Sequence, residues 1–494
     1  MNIAPLFIAV PLFTAFLTPV LSRVREGIAD VLSNAATATL LALSLAALYG
    51  VHTKGVIIYT FGGWSPPFGI NLVVDGLSAL LLVTISLISV MITIFSTKYM
   101  DRFTDKPKYY TLLMLMVAGM CGVVLTGDMF NMYVFIEMAA VSSYALVAFG
   151  CESDELEAAF KYMVLGSLAS AFILFGIIIL YSFTGSLNMA QISSIIAEKG
   201  ASPPVQLCFA LFLMGFGLKA ALVPFHAWLP DAHPSAPAPI SAMLSGVLIK
   251  AIGVYALSRV VFNVFGMNML FSEILMILGT LSMIVGVLLA IGQWDFKRLL
   301  AYHSVSQMGY VVLGLGIGTP LSILGGLFHL FNHASFKSLL FLNSGAVEYG
   351  SGTRDLHEMG GLKEKMPVTS ATSLIASASI AGIPPFNGFW SKLIIIVAAV
   401  QAGHMAYALV AIVASILTLA SFMKVQRYGF HGKLKEGLAA VKEAPAAMCL
   451  SMIALAAICT AAGLAFPIVL RYLIDPAVSV LLNGLGYSGL ILGG

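Results

Sequence analysis

The chain has 494 residues, 60% of them apolar and only 10% charged, with a mean hydropathy of +0.98. Soluble domains run at about 45–50% apolar and about 25% charged, so this composition leaves too little polar surface to face water and defines an integral membrane protein. Lysine and arginine total 25 against 22 acids, a net charge of +3, too balanced and too sparse for a nucleic-acid footprint or a trap for acidic substrates.

Segments of about 20 apolar residues cross a bilayer as helices, because unpaired backbone groups are costly in hydrocarbon. Cut at charged, Gly-rich and Pro-rich breaks, the sequence predicts an all-α polytopic protein of about fourteen such spans. They fall near residues 3–21, 31–50, 72–96, 109–126, 130–149, 156–183, 205–223, 240–262, 269–291, 299–316, 321–343, 368–401, 405–423 and 444–466. The first lacks a basic leader and an A-x-A-like cleavage site, so it reads as a spanning helix rather than a signal peptide. Seventeen of the 25 basic residues, from Arg23 to Lys442, collect in loops on the side of the first connection. Four (Lys54, Lys199, Arg259 and Arg471) fall on the other side. By the positive-inside rule this places both termini away from the cytoplasm. The five cysteines show no CxxC spacing, which supports no disulfide framework, zinc site or iron–sulfur cluster. No cofactor and no metal site is expected.

Two spans interrupt themselves. The seventh runs into Val223-Pro224-Phe225-His226, and the twelfth meets Gly382-Ile383-Pro384-Pro385-Phe386-Asn387-Gly388. Proline removes a backbone donor and clashes with the preceding turn, so each span is expected to be two half-helices joined by unwound backbone. Broken helices at corresponding positions of two halves point to an ion or substrate site in a protein built from repeats. Both breaks and the starts of spans four and nine share one offset, which is five helices long. An odd number of helices inverts the second copy, so the expected domains are residues 1–108 (spans one to three), 109–264 (first five-helix repeat), 265–428 (second, inverted repeat) and 429–494 (span fourteen and the tail).

Four basic residues, Lys219, Lys250, Lys337 and Lys392, belong to no loop, and Glu137 is the only carboxylate expected well inside the bilayer. Charged groups there cost about 2.5–3.5 kcal/mol on insertion scales and are usually paired and functional. A Glu facing a Lys across a variable distance can have its proton affinity switched; a static pair that fixes helix packing is the alternative. On span eleven His329, His333 and Lys337 stand at i, i+4 and i+8, one face carrying three titratable groups over about 12 Å. His303 and Gln307 stand at i and i+4 on span ten. Histidine titrates near neutrality and shuttles protons, and no nearby acid completes a metal ligand set.

The run from His226 to Pro234 (HAWLPDAHP), followed by Ala236 to Ala242 and Gly246 to Lys250, resembles a known signature. It is that of the proton-translocating antiporter-like subunits shared by respiratory complex I, membrane-bound hydrogenases and Mrp-type cation/proton antiporters. Ala301 to Tyr310, Phe328 to Lys337 and Ile383 to Lys392 look like further segments of that family. The resemblance implies a fourteen-helix fold with two inverted five-helix repeats. It also implies that Glu137 and Lys219 form an input pair, that Lys250 links the halves, and that His303, His329, His333 and Lys337 form a central relay with Lys392 at the exit. Gln307 departs from members that carry histidine there. The length, the Ser-Gln-Met-Gly run and Lys392 most resemble the D-type subunit of Mrp antiporters and its counterpart in Mrp-like hydrogenase complexes.

The expected function is therefore a proton or cation/proton translocating subunit of a multisubunit complex in the cell (inner) membrane. Its partners would be other membrane subunits, the bilayer and protons, with Na⁺ left open as a coupled ion, and no nucleic acid. A proton-pumping subunit of a complex I-type NADH:quinone oxidoreductase is the runner-up; this chain itself shows no redox or hydrolytic site. A self-sufficient solute transporter would need a roomy hydrogen-bonding site, whereas this chain strings single titratable groups across several helices. A purely structural subunit leaves four buried lysines unexplained.

Overall fold

Polar residues at the span ends start the helices. In the computed structural model, which describes residues 3–25, 27–200 and 202–492, Asp75 caps Gly76–Tyr99 through a reciprocal box. Its carboxylate accepts the Ser78 N–H at 2.9 Å while the Ser78 hydroxyl accepts the Asp75 N–H at 2.8 Å. Asp128, Asp295 and Thr319 cap Met129–Val147, Phe296–Ile317 and Pro320–Ser351, each accepting a first-turn N–H. Each cap satisfies an orphan donor of the first turn, worth about 1 kcal/mol.

Among the described residues nine helices are long and apolar enough to cross a membrane: Ile28–Lys54, Gly76–Arg102, Lys106–Leu125, Met129–Val147, Ser153–Thr184, Ala238–Phe265, Met269–Ile291, Met405–Phe430 and Ala446–Leu464. Their outward faces carry exposed apolar side chains such as Phe160, Leu281, Leu409 and Leu450, the reverse of a soluble protein. Shorter apolar helices stand where the first, seventh and twelfth spans are expected: Leu6–Leu21, Pro203–Lys219, and the pair Pro367–Ala381 and Asn387–Gln401. Two further helices, Phe296–Ile317 and Pro320–Ser351, hold His303, Gln307, His329, Asn332, His333 and Lys337. Neighbouring helices enclose both over most of their length.

Both expected breaks are present. The seventh span stops at Lys219 and resumes as Leu229–Ser235. Across the gap Ala221 takes a left-handed conformation (φ 54°), and the Val223 N–H is satisfied by the Ser282 hydroxyl at 3.0 Å. The twelfth stops at Ala381, turns at Gly382 (φ 80°) and resumes at Asn387. The two halves approach so closely that a Cβ on Gly388 would overlap the Ser379 carbonyl oxygen, a position only glycine fits.

Three features depart from the expected spans, the first taking residues 72–74 from the start of the third. Strands Ile57–Thr60 and Asn71–Val74 form an antiparallel hairpin with Ile57 opposite Val74. A short helix, Met189–Lys199, follows the sixth span. The expected tail after span fourteen is instead helical, Phe466–Leu482 and Gly484–Leu492, bent by 97° between them.

Candidate ion-translocation site

The Lys219 amine is 3.6 Å from Glu137 Oε1, so the fifth and seventh spans bring the predicted pair together. Lys219 is enclosed, with 1% of its side chain exposed, whereas Glu137 is 29% exposed. Ser170 donates its hydroxyl proton to Glu137 Oε1, and Lys219 also donates to the Tyr144 hydroxyl at 3.4 Å. The break after Lys219 is pinned to this cluster. Trp228 stacks on Tyr162 at 4.1 Å and donates its indole N–H to the Leu218 carbonyl at 2.9 Å.

Lys250 lies in Leu244–Tyr255, where the eighth span widens into a π-helix. Such stretches are rare and concentrate at functional sites. Its amine donates to the Ser245 carbonyl five residues back at 2.6 Å, and the Ser245 hydroxyl meets that of Ser304 on the tenth span at 2.6 Å. The Lys337 amine is bonded to the Leu300 carbonyl and lies 5.4 Å from the centre of the Phe341 ring. His329 is bridged on both sides, Nδ1 to the Ser391 hydroxyl at 2.9 Å and Nε2 to the Gln307 amide oxygen at 3.1 Å. His303 Nε2 meets the Ser421 hydroxyl at 2.8 Å. Neither ring nitrogen of His333 has a hydrogen-bond partner, and its ring is 6.5 Å from that of His329. Lys392 donates to the Ile380 carbonyl at 2.7 Å and the Ser415 hydroxyl at 3.2 Å, and lines a crevice of about 270 Å³ beside Gly382 and Ile383. Among the described residues Lys250, Lys337 and Lys392 have no carboxylate partner.

Sequence reasoning passed over His233, although it lies in the HAWLPDAHP run. It is fully buried with both ring nitrogens unpartnered, and its ring packs on Phe341, which also faces Lys337. Its place in that run, between apolar spans, was the available signal. Two bases and one acid are more enclosed than the sequence suggests. Arg259, counted among the loop charges although it falls within the expected 240–262 span, is 3% exposed in the eighth span and forms an ion pair with Asp75 at 2.8 Å. Lys297, expected in a loop, is 2% exposed and pairs with Glu348 at 2.9 Å. Asp75, 1% exposed, is more enclosed than Glu137. Ion pairing and cap bonds make these burials tolerable, and neither is visible without the partner.

A membrane-embedded helical fold with two broken spans and a row of buried amines and imidazoles defines a class of ion-handling membrane subunits. The family model described as NADH:quinone oxidoreductase/Mrp antiporter, TM, matches residues 126–418, a stretch that contains every candidate from Glu137 to Lys392. A second, described as NADH-Ubiquinone oxidoreductase (complex I), chain 5 N-terminus, matches residues 63–110. The chain belongs to the NADH:quinone oxidoreductase/Mrp antiporter transmembrane family. It is 36% identical to the D subunit of the Na(+)/H(+) antiporter of Alkalihalophilus pseudofirmus over 82% of each chain. It is also 36% identical to the N subunit of the NADH-quinone oxidoreductase of Desulforudis audaxviator over 85% of each. Its fold superposes on a chain of the Mrp complex from Dietzia sp. DQ12-45-1b with a TM-score of 0.93 at 30% identity, covering 100% of this chain and 99% of that one.

Proposed function

We propose that the chain is the proton-translocating, D-type member of a multisubunit Mrp-type cation/proton antiporter in the cell membrane. The observation that carries this reading is the partly exposed Glu137 carboxylate facing the enclosed Lys219 amine across 3.6 Å. Glu137 takes up a proton where the chain surface admits it, and Lys219 passes charge inward toward Lys250. Lys337, His303, His329 and His333, joined by His233, relay it through the centre, and Lys392 releases it at the second break. Three of these amines rest on neutral carbonyls. Without a counter-ion, each can hold a proton in passing rather than lock it in a permanent ion pair. The fourteen-span organisation, the inverted repeats at residues 109–264 and 265–428, and non-cytoplasmic termini belong to this proposal; both extreme ends lie outside the described residues. Matching breaks at Val223-Pro224 and Pro384-Pro385 support the repeat.

The test is Glu137→Gln in the assembled complex, reconstituted in proteoliposomes. Proton translocation is expected to fall at least roughly tenfold while the variant chain still assembles; wild-type transport would overturn the input-pair reading. The equal identity to a quinone oxidoreductase relative favours a second reading, in which redox chemistry elsewhere in the complex powers the same path. Cation-gradient-driven proton movement without an electron donor separates the two.

A further inference from the structure

Glu137 and Tyr144 stand seven residues apart on Met129–Val147, two turns and about 10.5 Å along one helix face. The Lys219 amine reaches both, 3.6 Å from Glu137 Oε1 and 3.4 Å from the Tyr144 hydroxyl. The helix Ser153–Thr184 builds a seat for each partner. Ser170 donates to Glu137, and one turn earlier Gly166 leaves space for the phenol, whose oxygen a Cβ at that position would overlap. The Tyr144 ring is held edge-on by Tyr162 at 4.6 Å, and Tyr162 in turn stacks on Trp228 of the seventh-span break. Trp228 grips the backbone one residue before Lys219, at Leu218. The lysine and the phenol are thus held in one frame. Among the hydrogen bonds of the described residues, the Tyr144 hydroxyl accepts from Lys219, and its own proton has no acceptor.

The two partners differ in what they can hold. An ammonium has only donors, and a carboxylate has only acceptors, so Glu137 favours the charged lysine. A phenol accepts from the ammonium and, after rotation about its C–O bond, donates to the lone pair of a neutral amine. We propose that Tyr144 is a positioning residue for translocation, its hydroxyl holding the Lys219 amine in place once that amine has passed its proton toward the centre. The proposal rests on the Glu137–Lys219 reading above. The proton leaves Lys219 Nζ for the inner groups, while Tyr144 keeps its own throughout.

Tyr144→Phe deletes one oxygen and leaves the ring against Tyr162. It removes the hydroxyl that meets the amine in both of its states but not Glu137, and the bond accepted from the ammonium is the stronger of the two that are lost. The titratable groups facing the amine are Glu137 and Tyr144 from the fifth span, with Tyr162 of the sixth behind them. In the reconstituted complex the variant is expected to transport roughly tenfold more slowly, with its pH–rate profile displaced to the acid side because the charged amine loses the stronger bond. Gly166→Ala is the second route, since the added methyl displaces the hydroxyl while the tyrosine stays; the same acid displacement is expected. A wild-type rate and pH profile in either assembled variant overturns the role of Tyr144. If Glu137→Gln still abolishes transport in that case, the input-pair reading survives without it. Slowing with an unmoved pH profile in both variants also overturns the proposal, because a packing defect alone produces that result.

Discussion

The Lys392 amine, in the second half of the twelfth span, donates at 2.7 Å to the carbonyl oxygen of Ile380, in the last turn of the first half. One side chain therefore closes the break. Its second bond, to Ser415, ties the break to the thirteenth span. Lys392→Leu leaves the Ile380 carbonyl without that donor, a cost of about 1–3 kcal/mol, and removes the group proposed to release the proton. Translocation is expected to be blocked at matched expression. Lys392→Glu is expected to retain partial function, because only a protonated carboxyl can donate to that carbonyl. Near-normal transport by the Leu variant would reduce Lys392 to a packing anchor.

Lys219→Arg keeps the charge beside Glu137 but cannot give up a proton at any working pH. Proton translocation by the purified complex is expected to drop to background, although the ion pair and the assembly persist. Normal pumping by this variant would show that only a fixed positive charge is needed.

His329 is set between Ser391 and Gln307. The Gln307 amide oxygen can only accept, which assigns Nε2–H and leaves Nδ1 to accept from Ser391. Gln307→Leu frees the ring to take the other tautomer, and transport is expected to slow roughly tenfold. Gln307→His, which supplies an acceptor of similar reach, is expected to stay within a fewfold of wild type. Equal rates for Leu and wild type would show that the orientation of His329 is set elsewhere.

The Asp75–Arg259 pair ties the start of the third span to the end of the eighth. Arg259 also bonds Tyr255 and Asn263, and its guanidinium lies 5.1 Å from the centre of the Tyr487 ring in the C-terminal helix. Breaking one side of a buried pair costs about 3–5 kcal/mol, because the survivor is left uncompensated. Asp75→Asn is expected to lower the melting temperature of the detergent-solubilised complex and to expose the C-terminal segment to protease. Unchanged melting would mean that Tyr487 and the helix caps hold this end alone.

Hydropathy and proline act locally, which is why the sequence by itself determined so much. It determined the membrane class, the approximate spans, the two breaks and the identity of the lysines and histidines no loop could hold. Met269–Ile291 matches its expected bounds outright, since nothing beyond its own residues was needed to define it. The tertiary structure alone decided what each buried group meets. Tyr144 reaches Lys219 from 75 residues away, and Asp75 reaches Arg259 from 184. No local pattern encodes either contact. For the same reason Arg259 and Lys297 are counted among the loop charges in sequence: a charge enters the interior only when a distant partner offsets its desolvation, and that partner is chosen by the packing of helices, not by the residues beside it.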